Sequence, residues 1–315
     1  MAKAPRSLVD KVVAITGGAR GIGRATAAAL IARGAKVAIG DIDSVLAGRT
    51  AEELGHGTLG LALDVTDPLR FETFLIEVER ELGPLDVLIN NAGIMPIGPF
   101  LQEGDDTARA LLDINVHGVI FGCKLALKRF VERGSGHLVN IASAAGKAGF
   151  PGGATYCATK HAVVGLSESI RAEVRGLGIG VTVVMPVVVR TELGSGLDTT
   201  RGFKAVEPEE VAEAIVDALQ RDRYEVFVPR SLAGILRPKG VLPTRVMEAI
   251  ARALRSDQIL MHPDRERRAA YESRVAADVR RGPRAPAVHG GQQSDAVVAA
   301  SARSDDQPAA DRAAS

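Results

Sequence analysis

From residue 11 to about residue 228, runs of apolar residues rich in Val and Ile alternate with amphipathic stretches. The runs at 11–16, 36–40, 58–63, 86–89, 137–142, 180–185 and 225–228 predict strands. They are continuous rather than alternating, which suits strands buried on both faces. Helical spacing predicts helices near 22–33, 44–54, 68–82, 105–131, 155–177 and 208–219. Strand and helix in strict alternation predict a parallel sheet wrapped by helices. Right-handed crossovers then make the expected fold class α/β, doubly wound, in one domain over 8–228.

Two parts break the pattern. Residues 229–282 show no strand-like run. They include an amphipathic stretch with Val246, Met247, Ile250 and Leu254 on one face. Residues 230–281 carry twelve Arg and Lys against six Asp and Glu. This basic extension has two readings: a lid or contact between subunits, or a peripheral contact with an anionic membrane through 229–260. From 283 to 315 the chain is rich in Ala, Ser, Asp and Gln, which predicts a disordered tail.

The formal net charge of +1 excludes a general nucleic-acid binder, and the absence of Trp argues against base-stacking platforms. Cys123 and Cys157 form no C-x-x-C and no metal spacing, so both are expected as core thiols in a reducing, cytoplasmic setting. The first ten residues hold no apolar signal core. No stretch reads as apolar for long enough to span a bilayer.

The first strand runs into Gly17, Gly21 and Gly23 and then a helix starting near Ile22. Missing side chains let backbone approach a pyrophosphate, and the helix start aims N–H groups and a positive dipole end at it. Asp41 ends the second strand, where a carboxylate accepts from ribose hydroxyls and repels a 2′-phosphate. That favours NAD over NADP, while Arg20 points toward NADP as a possibility. Asp64, after the third strand, suits the adenine amino group, with the backbone of Val65 beside it; Asp64 also reads as a turn former. After the fourth strand, Asn90, Asn91, Ala92 and Gly93 are expected along the ligand crevice.

Ser143 follows the fifth strand, with Tyr156 and Lys160 four apart on the next helix. Residues at that spacing share a helix face. A phenol beside an ammonium is expected to titrate below its usual value of about 10. It then exchanges a proton with an alcohol or carbonyl oxygen, while Ser143 donates to the same oxygen and Lys160 holds the nicotinamide ribose. Asn115 stands inside an apolar helix, where its low propensity suggests a local irregularity that frees a carbonyl to hold water.

Together, "TGGARGIG" at 16–23, "DV" at 64–65, "NNAG" at 90–93, Asn115, Ser143 and "YCATK" at 156–160 resemble the short-chain dehydrogenase/reductase family. The resemblance covers about 8–228 and implies a seven-stranded Rossmann sheet. It implies that Thr16, Gly17, Arg20, Gly21, Ile22, Gly23, Asp41, Asp64, Val65, Asn91, Ala92, Gly93, Val189 and Thr191 line the cofactor site, with Tyr156 and Lys160. It makes Asn115, Ser143, Tyr156 and Lys160 a catalytic tetrad with a water-mediated relay. It implies a homodimer or homotetramer built on the two long helices. One departure stands at Val187, where the family has glycine after Pro186. A branched side chain there is expected to disturb the loop beside the nicotinamide.

The expected pocket walls hold Met95, Ile97, Phe100, Phe150, Leu193, Leu197 and Phe203, with no evident Arg clamp. They suit an apolar alcohol, aldehyde or ketone of sterol, retinoid or long-chain type. A non-catalytic NAD-binding scaffold or redox sensor is the competing reading, and the intact Ser, Tyr and Lys set argues against it. A methyltransferase would not require Tyr156 and Lys160, and sugar-nucleotide epimerases usually space the glycines differently.

Overall fold

The seven strands divide their side chains between two cores. On β1 (Val12–Thr16), Val12 and Ala14 face one core and Val13 and Ile15 face the other. On β2 (Lys36–Asp41), Ala38 faces the first and Val37 and Ile39 the second. Apolar residues at successive positions therefore mean burial on both faces. The computed structural model describes residues 4–197, 204–237, 243–254, 259–261 and 263–281. The tail from 283 and Phe203 lie outside the described residues, as does the side chain of Met247.

The remaining strands are β3 (Leu59–Ala62), β4 (Val87–Asn90), β5 (Gly136–Ile141), β6 (Ile179–Pro186) and β7 (Glu225–Val228). All pairings are parallel, in the order β3-β2-β1-β4-β5-β6-β7. Helices α1 (Gly21–Ile31), α2 (Ser44–Leu54) and α7 (Pro208–Arg221) supply the second core, with Leu30, Ala51 and Ile215. Helices α3 (Pro68–Leu82), α5 (Gly118–Arg133) and α6 (Ala154–Glu173) supply the first, with Phe71, Phe130 and Val163. Local chemistry starts these helices where the sequence says: Asp43 caps α2, Asp67 caps α3 with Pro68 behind it, and Glu207 and Glu210 form a capping box on α7. The chain leaves β1 toward β2 and later returns to β4 on the other side, opening a crevice at their carboxyl ends.

One predicted helix is three pieces. Helix α4 (Asp105–Leu112) continues into a π-helical turn, Asp113–His117, and then α5. The irregularity expected around Asn115 is this turn. The whole run, Asp105–Arg133, is long and apolar enough to cross a membrane by length and composition, contrary to the expectation of no such stretch. It serves here as a core helix: Cys123, Ala126 and Phe130 of α5 lie in the first core against the sheet.

Beyond β7 the extension folds into α8 (Ala233–Leu236), α9 (Thr244–Leu254) and α10 (Arg265–Arg281). A third apolar cluster forms around Tyr156: Ile94, Met95, Leu111, Ala145 and Cys157, closed by Tyr271 and Val275 of α10. Cys123 and Cys157 are buried thiols, and burial pushes the Cys123 thiol up to about 12.

Candidate active site

The cradle starts where β1 ends. Gly17 has φ 61° and Gly21 φ 53°, backbone that a side chain resists. A Cβ on Gly17 would stand 2.9 Å from Ala92 Cα, and one on Gly23 2.3 Å from the Gly17 carbonyl oxygen. Thr16 and Asn91 fasten this turn from behind. Thr16 Oγ1 accepts from the N–H groups of Asn91 and Ala92, each at 3.0 Å. Asn91 Nδ2 donates to the carbonyls of Thr16 and Gly17, each at 2.9 Å.

Gly17, Arg20, Gly21, Ile22, Asn91, Ala92 and Gly93 line a cavity of about 1620 Å³ at the crevice. Thr16 and Gly23 shape the cradle without lining it. The expectation for Asn90 is corrected: its Nδ2 donates to Asn140 Oδ1 at 2.9 Å, inside the core. It is buried and does not line the cavity, because strand alternation turns it away from the side that Asn91 braces.

Asp41 ends β2, buried, and its carboxylate accepts from the N–H groups of Ala19 and Asp43, each at 3.2 Å. It lines the cavity with Ile42 and Asp43. Arg20 is held between carboxylates: Nη2 lies 3.1 Å from Asp43 and Nη1 3.2 Å from Glu192. Asp64 forms the turn foreseen for it. Its Oδ1 accepts from Thr66 N and Oγ1, at 3.0 and 2.7 Å, and it lines the cavity beside Val65. Thr191 brings its Cγ2 over the turn, 3.1 Å from where a Gly21 Cβ would be, and lines the cavity with Val189. A cavity ringed by glycine backbone, with a helix start at one side and Asp41 at its rim, fits a dinucleotide such as NAD.

The expected disturbance at Val187 is absent. Its N–H donates to the Val228 carbonyl at 2.9 Å, extending the β6–β7 pairing by one residue. No positive φ is needed there, since the described non-glycine residues with positive φ are Asp10, His56 and Asp222. The side chain packs against both sheet cores and lines the cavity.

Ser143, Tyr156 and Lys160 line the same cavity. Asn115 lies just behind, fully buried. Its Oδ1 accepts from Ile94 N at 2.9 Å, and its Nδ2 donates to Ile94 O at 2.9 Å and to Thr159 Oγ1 at 3.2 Å. It therefore ties the loop after β4 to α6. Ser143 Oγ accepts from Ala145 N at 3.1 Å and favours the ionised form of the Tyr156 phenol. Lys160 Nζ donates to the Ile141 carbonyl at 2.9 Å and stands 5.8 Å from the centre of the Tyr156 ring.

Burial pushes the Tyr156 phenol above its ordinary value, with Ser143 and Arg268 pulling the other way. Burial pushes Lys160 down to about 8. The expected depression of the phenol by its lysine neighbour is thus reversed. Losing hydration costs the phenolate more than Ser143 and Arg268 return. The site keeps the phenol protonated, as a proton donor must be.

The substrate end is built by residues 94–97, 144–150, 191–197 and the extension. Met95, Phe150, Leu193 and Leu197 line the cavity. Ile97 packs in the third cluster, whereas Phe100 is 65% exposed on a short 3-10 turn and belongs to no wall. The extension adds Ile250 and Leu254 of α9, Ile259, Leu260, and Tyr271, Arg274, Val275 and Val279 of α10. Arg268, fully buried, donates from Nη1 to the carbonyls of Leu193 and Ser195, each at 3.0 Å, and from Nη2 to Met95 O at 2.5 Å. Tyr271 Oη accepts from Met95 N at 2.7 Å. Arg274 pairs with Glu192 at 2.6 Å. Sequence reasoning missed Arg268, Tyr271 and Arg274, with Val275 and Val279 beside them. The available signal was the spacing of Tyr271, Val275 and Val279, one apolar line on an otherwise charged helix.

Residues 11–202 match the short chain dehydrogenase family. The chain belongs to that family. Carbonyl reductase family member 4 of Xenopus tropicalis is 36% identical over 218 residues, 67% of this chain and 92% of that protein. A probable oxidoreductase of Mycobacterium tuberculosis is 34% identical over 237 residues, 68% of this chain but 40% of that longer protein. The crystal structure of 3-ketoacyl-(acyl-carrier-protein) reductase from Brucella melitensis, complexed with NADH, superposes with TM-score 0.66 at 27% identity, covering 70% of this chain and 98% of that one. This short chain dehydrogenase is therefore a nicotinamide-dependent oxidoreductase of alcohol and carbonyl groups. Its α9 and α10 lie beyond the residues that match the family.

Proposed function

We propose that the protein transfers a hydride between NAD and an alcohol or carbonyl carbon on an apolar substrate, with Tyr156 as the acid and base. The observation that carries this is that Tyr156, Ser143 and Lys160 all line the cavity that the glycine turn opens into. NAD supplies the hydride chemistry through its nicotinamide ring. The glycine turn and the start of α1 hold the pyrophosphate. Asp41 accepts from the ribose hydroxyls and repels a 2′-phosphate, and Arg20, already engaged by Asp43 and Glu192, offers that phosphate little. In reduction, Tyr156 donates its proton to the substrate oxygen while Ser143 donates a hydrogen bond to the same oxygen. In oxidation the proton returns to Tyr156. Lys160 sets the charge beside the phenol, and Asn115 holds the loop and helix that carry the site in register.

Met95, Phe150, Leu193, Leu197, Leu260 and Val275 around the substrate end support an apolar substrate of sterol, retinoid or long-chain type. The same cavity takes in Ile250 and Leu254, so the basic extension reads as a lid rather than a membrane contact. Liposome flotation with and without residues 229–315 tests this, and flotation that depends on the extension would reverse it. The dimer or tetramer expected on the long helices is tested by light scattering.

The decisive experiment is a panel of apolar and small polar alcohols and carbonyls with NAD(H) and NADP(H). Turnover of apolar compounds with NAD(H) supports the reading. Equal turnover of small polar alcohols would remove the apolar assignment, and bound NADH with no turnover of any compound would remove the enzyme reading.

A further inference from the structure

Tyr271 brings a second phenol into the cavity that holds Tyr156. Both side chains line it, and both belong to the apolar cluster at the substrate end. They stand close enough for charge on one to be felt at the other. Tyr271 reaches the site from α10, outside the residues that match the family.

Its hydrogen bonding is one-sided. The Tyr271 oxygen accepts from Met95 N–H at 2.7 Å, which uses a lone pair and leaves the hydroxyl hydrogen free to donate. Among the described residues, no acceptor takes that hydrogen. A buried phenol usually finds partners for both its roles. Burial also pushes this phenol up to about 12, so it remains a donor across the physiological range.

The phenol is also held still. Arg268, one turn before it on α10, clasps the carbonyls of Met95, Leu193 and Ser195, so the helix is pinned to both walls of the substrate end. The Arg268 guanidinium lies 4.8 Å from the centre of the Tyr271 ring. A donor fixed by its own acceptor bond and by a stacked cation loses little entropy when it binds a ligand oxygen.

We propose that Tyr271 is a substrate-binding residue that donates a hydrogen bond to a second oxygen of the substrate, away from the carbonyl or alcohol that Tyr156 serves. The substrate class is then an apolar frame carrying two oxygens: a keto or hydroxy group that reacts, and a carbonyl, ester or hydroxyl acceptor that anchors. This inference rests on the dehydrogenase reading above. The frame is apolar because the remaining walls are, and the anchor is an acceptor because the phenol has a proton to give. A polar anchor in an apolar pocket discriminates strongly, since a substrate without it leaves a buried donor unpaired.

The test uses the full chain, NADH and alkyl ketones of equal length, with and without a second carbonyl at the β, γ or δ position. At least one dioxygenated member is expected to exceed its plain ketone by about tenfold in kcat/KM in the wild type. Tyr271→Phe keeps the ring and removes the donor, so that ratio is expected to fall to about one. NADH binding by fluorescence reports whether the variant's cofactor site is intact. A wild type that turns over plain and dioxygenated ketones equally overturns the proposal and leaves the dehydrogenase reading standing. A ratio that survives Tyr271→Phe also overturns it, and Tyr271 is then only a prop for Met95. No turnover of any member with NADH still bound overturns both readings.

Discussion

Lys160 donates to the carbonyl of Ile141 at 2.9 Å while its ammonium stands 5.8 Å from the centre of the Tyr156 ring. The lysine is thus anchored to the end of β5, the same strand end that carries Ser143, and burial brings it down to about 8. A cation held this way loses its charge as pH rises through that value. The activity that needs the ammonium is expected to fall as pH rises through about 8. Lys160→Arg, whose charge does not titrate in this range, is expected to move that limb upward in a pH profile of kcat/KM.

Tyr156→Phe removes the proton and keeps the ring in its apolar cluster. It is expected to lower kcat by about 10²–10⁴-fold, the usual contribution of a positioned acid. Steady-state rates, with fluorescence to show that NADH still binds, check this.

Cofactor choice is expected to depend on three carboxylates. Asp41→Ala removes the repulsion of a 2′-phosphate and shifts the ratio of kcat/KM for NAD over NADP toward NADP by about tenfold. Adding Asp43→Asn and Glu192→Gln releases Arg20 from both partners, and the ratio is expected to move further in the same direction. Kinetics with each cofactor across the series measure both steps.

Gly23→Ala is expected to abolish NADH binding while the sheet survives. Its Cβ would sit 2.3 Å from the Gly17 carbonyl oxygen and 2.8 Å from Asn91 Nδ2, so the turn must open. Calorimetric titration with NADH and far-UV circular dichroism separate the two effects.

His137 lies buried on β5, 2.8 Å from Thr182 Oγ1 and 3.9 Å from Asp222 Oδ1. Burial pushes its imidazole down to about 4, against the pull of Asp222. The unfolded chain takes up this proton near pH 6.5 and the folded chain only near 4. Between those values the unfolded state binds more protons, so stability is lost as pH falls through the window. The loss is about 3 kcal/mol by linkage. His137→Gln is expected to flatten this dependence in urea denaturation followed from pH 7 to 4.5.

Much of this was legible in the chain because it rests on local spacing. Continuous runs of Val and Ile announce strands buried on both faces, as in β1 and β2. Gly17, Gly21 and Gly23 announce a turn that side chains would block, and a four-residue step puts Tyr156 and Lys160 on one helix face. Backbone sterics and helical periodicity act over a few residues, so the sequence alone determined the sheet, the cradle and the phenol with its lysine.

Contacts across long separations decided the rest. Tyr271 meets Met95 across 176 residues and Arg268 meets it across 173, distances over which no periodicity carries information. Whether Arg20 is free for a phosphate depended on Glu192, 172 residues away. Val187 departs from the family pattern in sequence, yet β7 gave its backbone a strand partner at Val228. The direction in which Tyr156 shifts also came from packing, because burial of the phenol outweighed the pull of Ser143 and Arg268. Local propensity and spacing are written residue by residue, whereas desolvation and long-range pairing exist only once the chain has closed around the site.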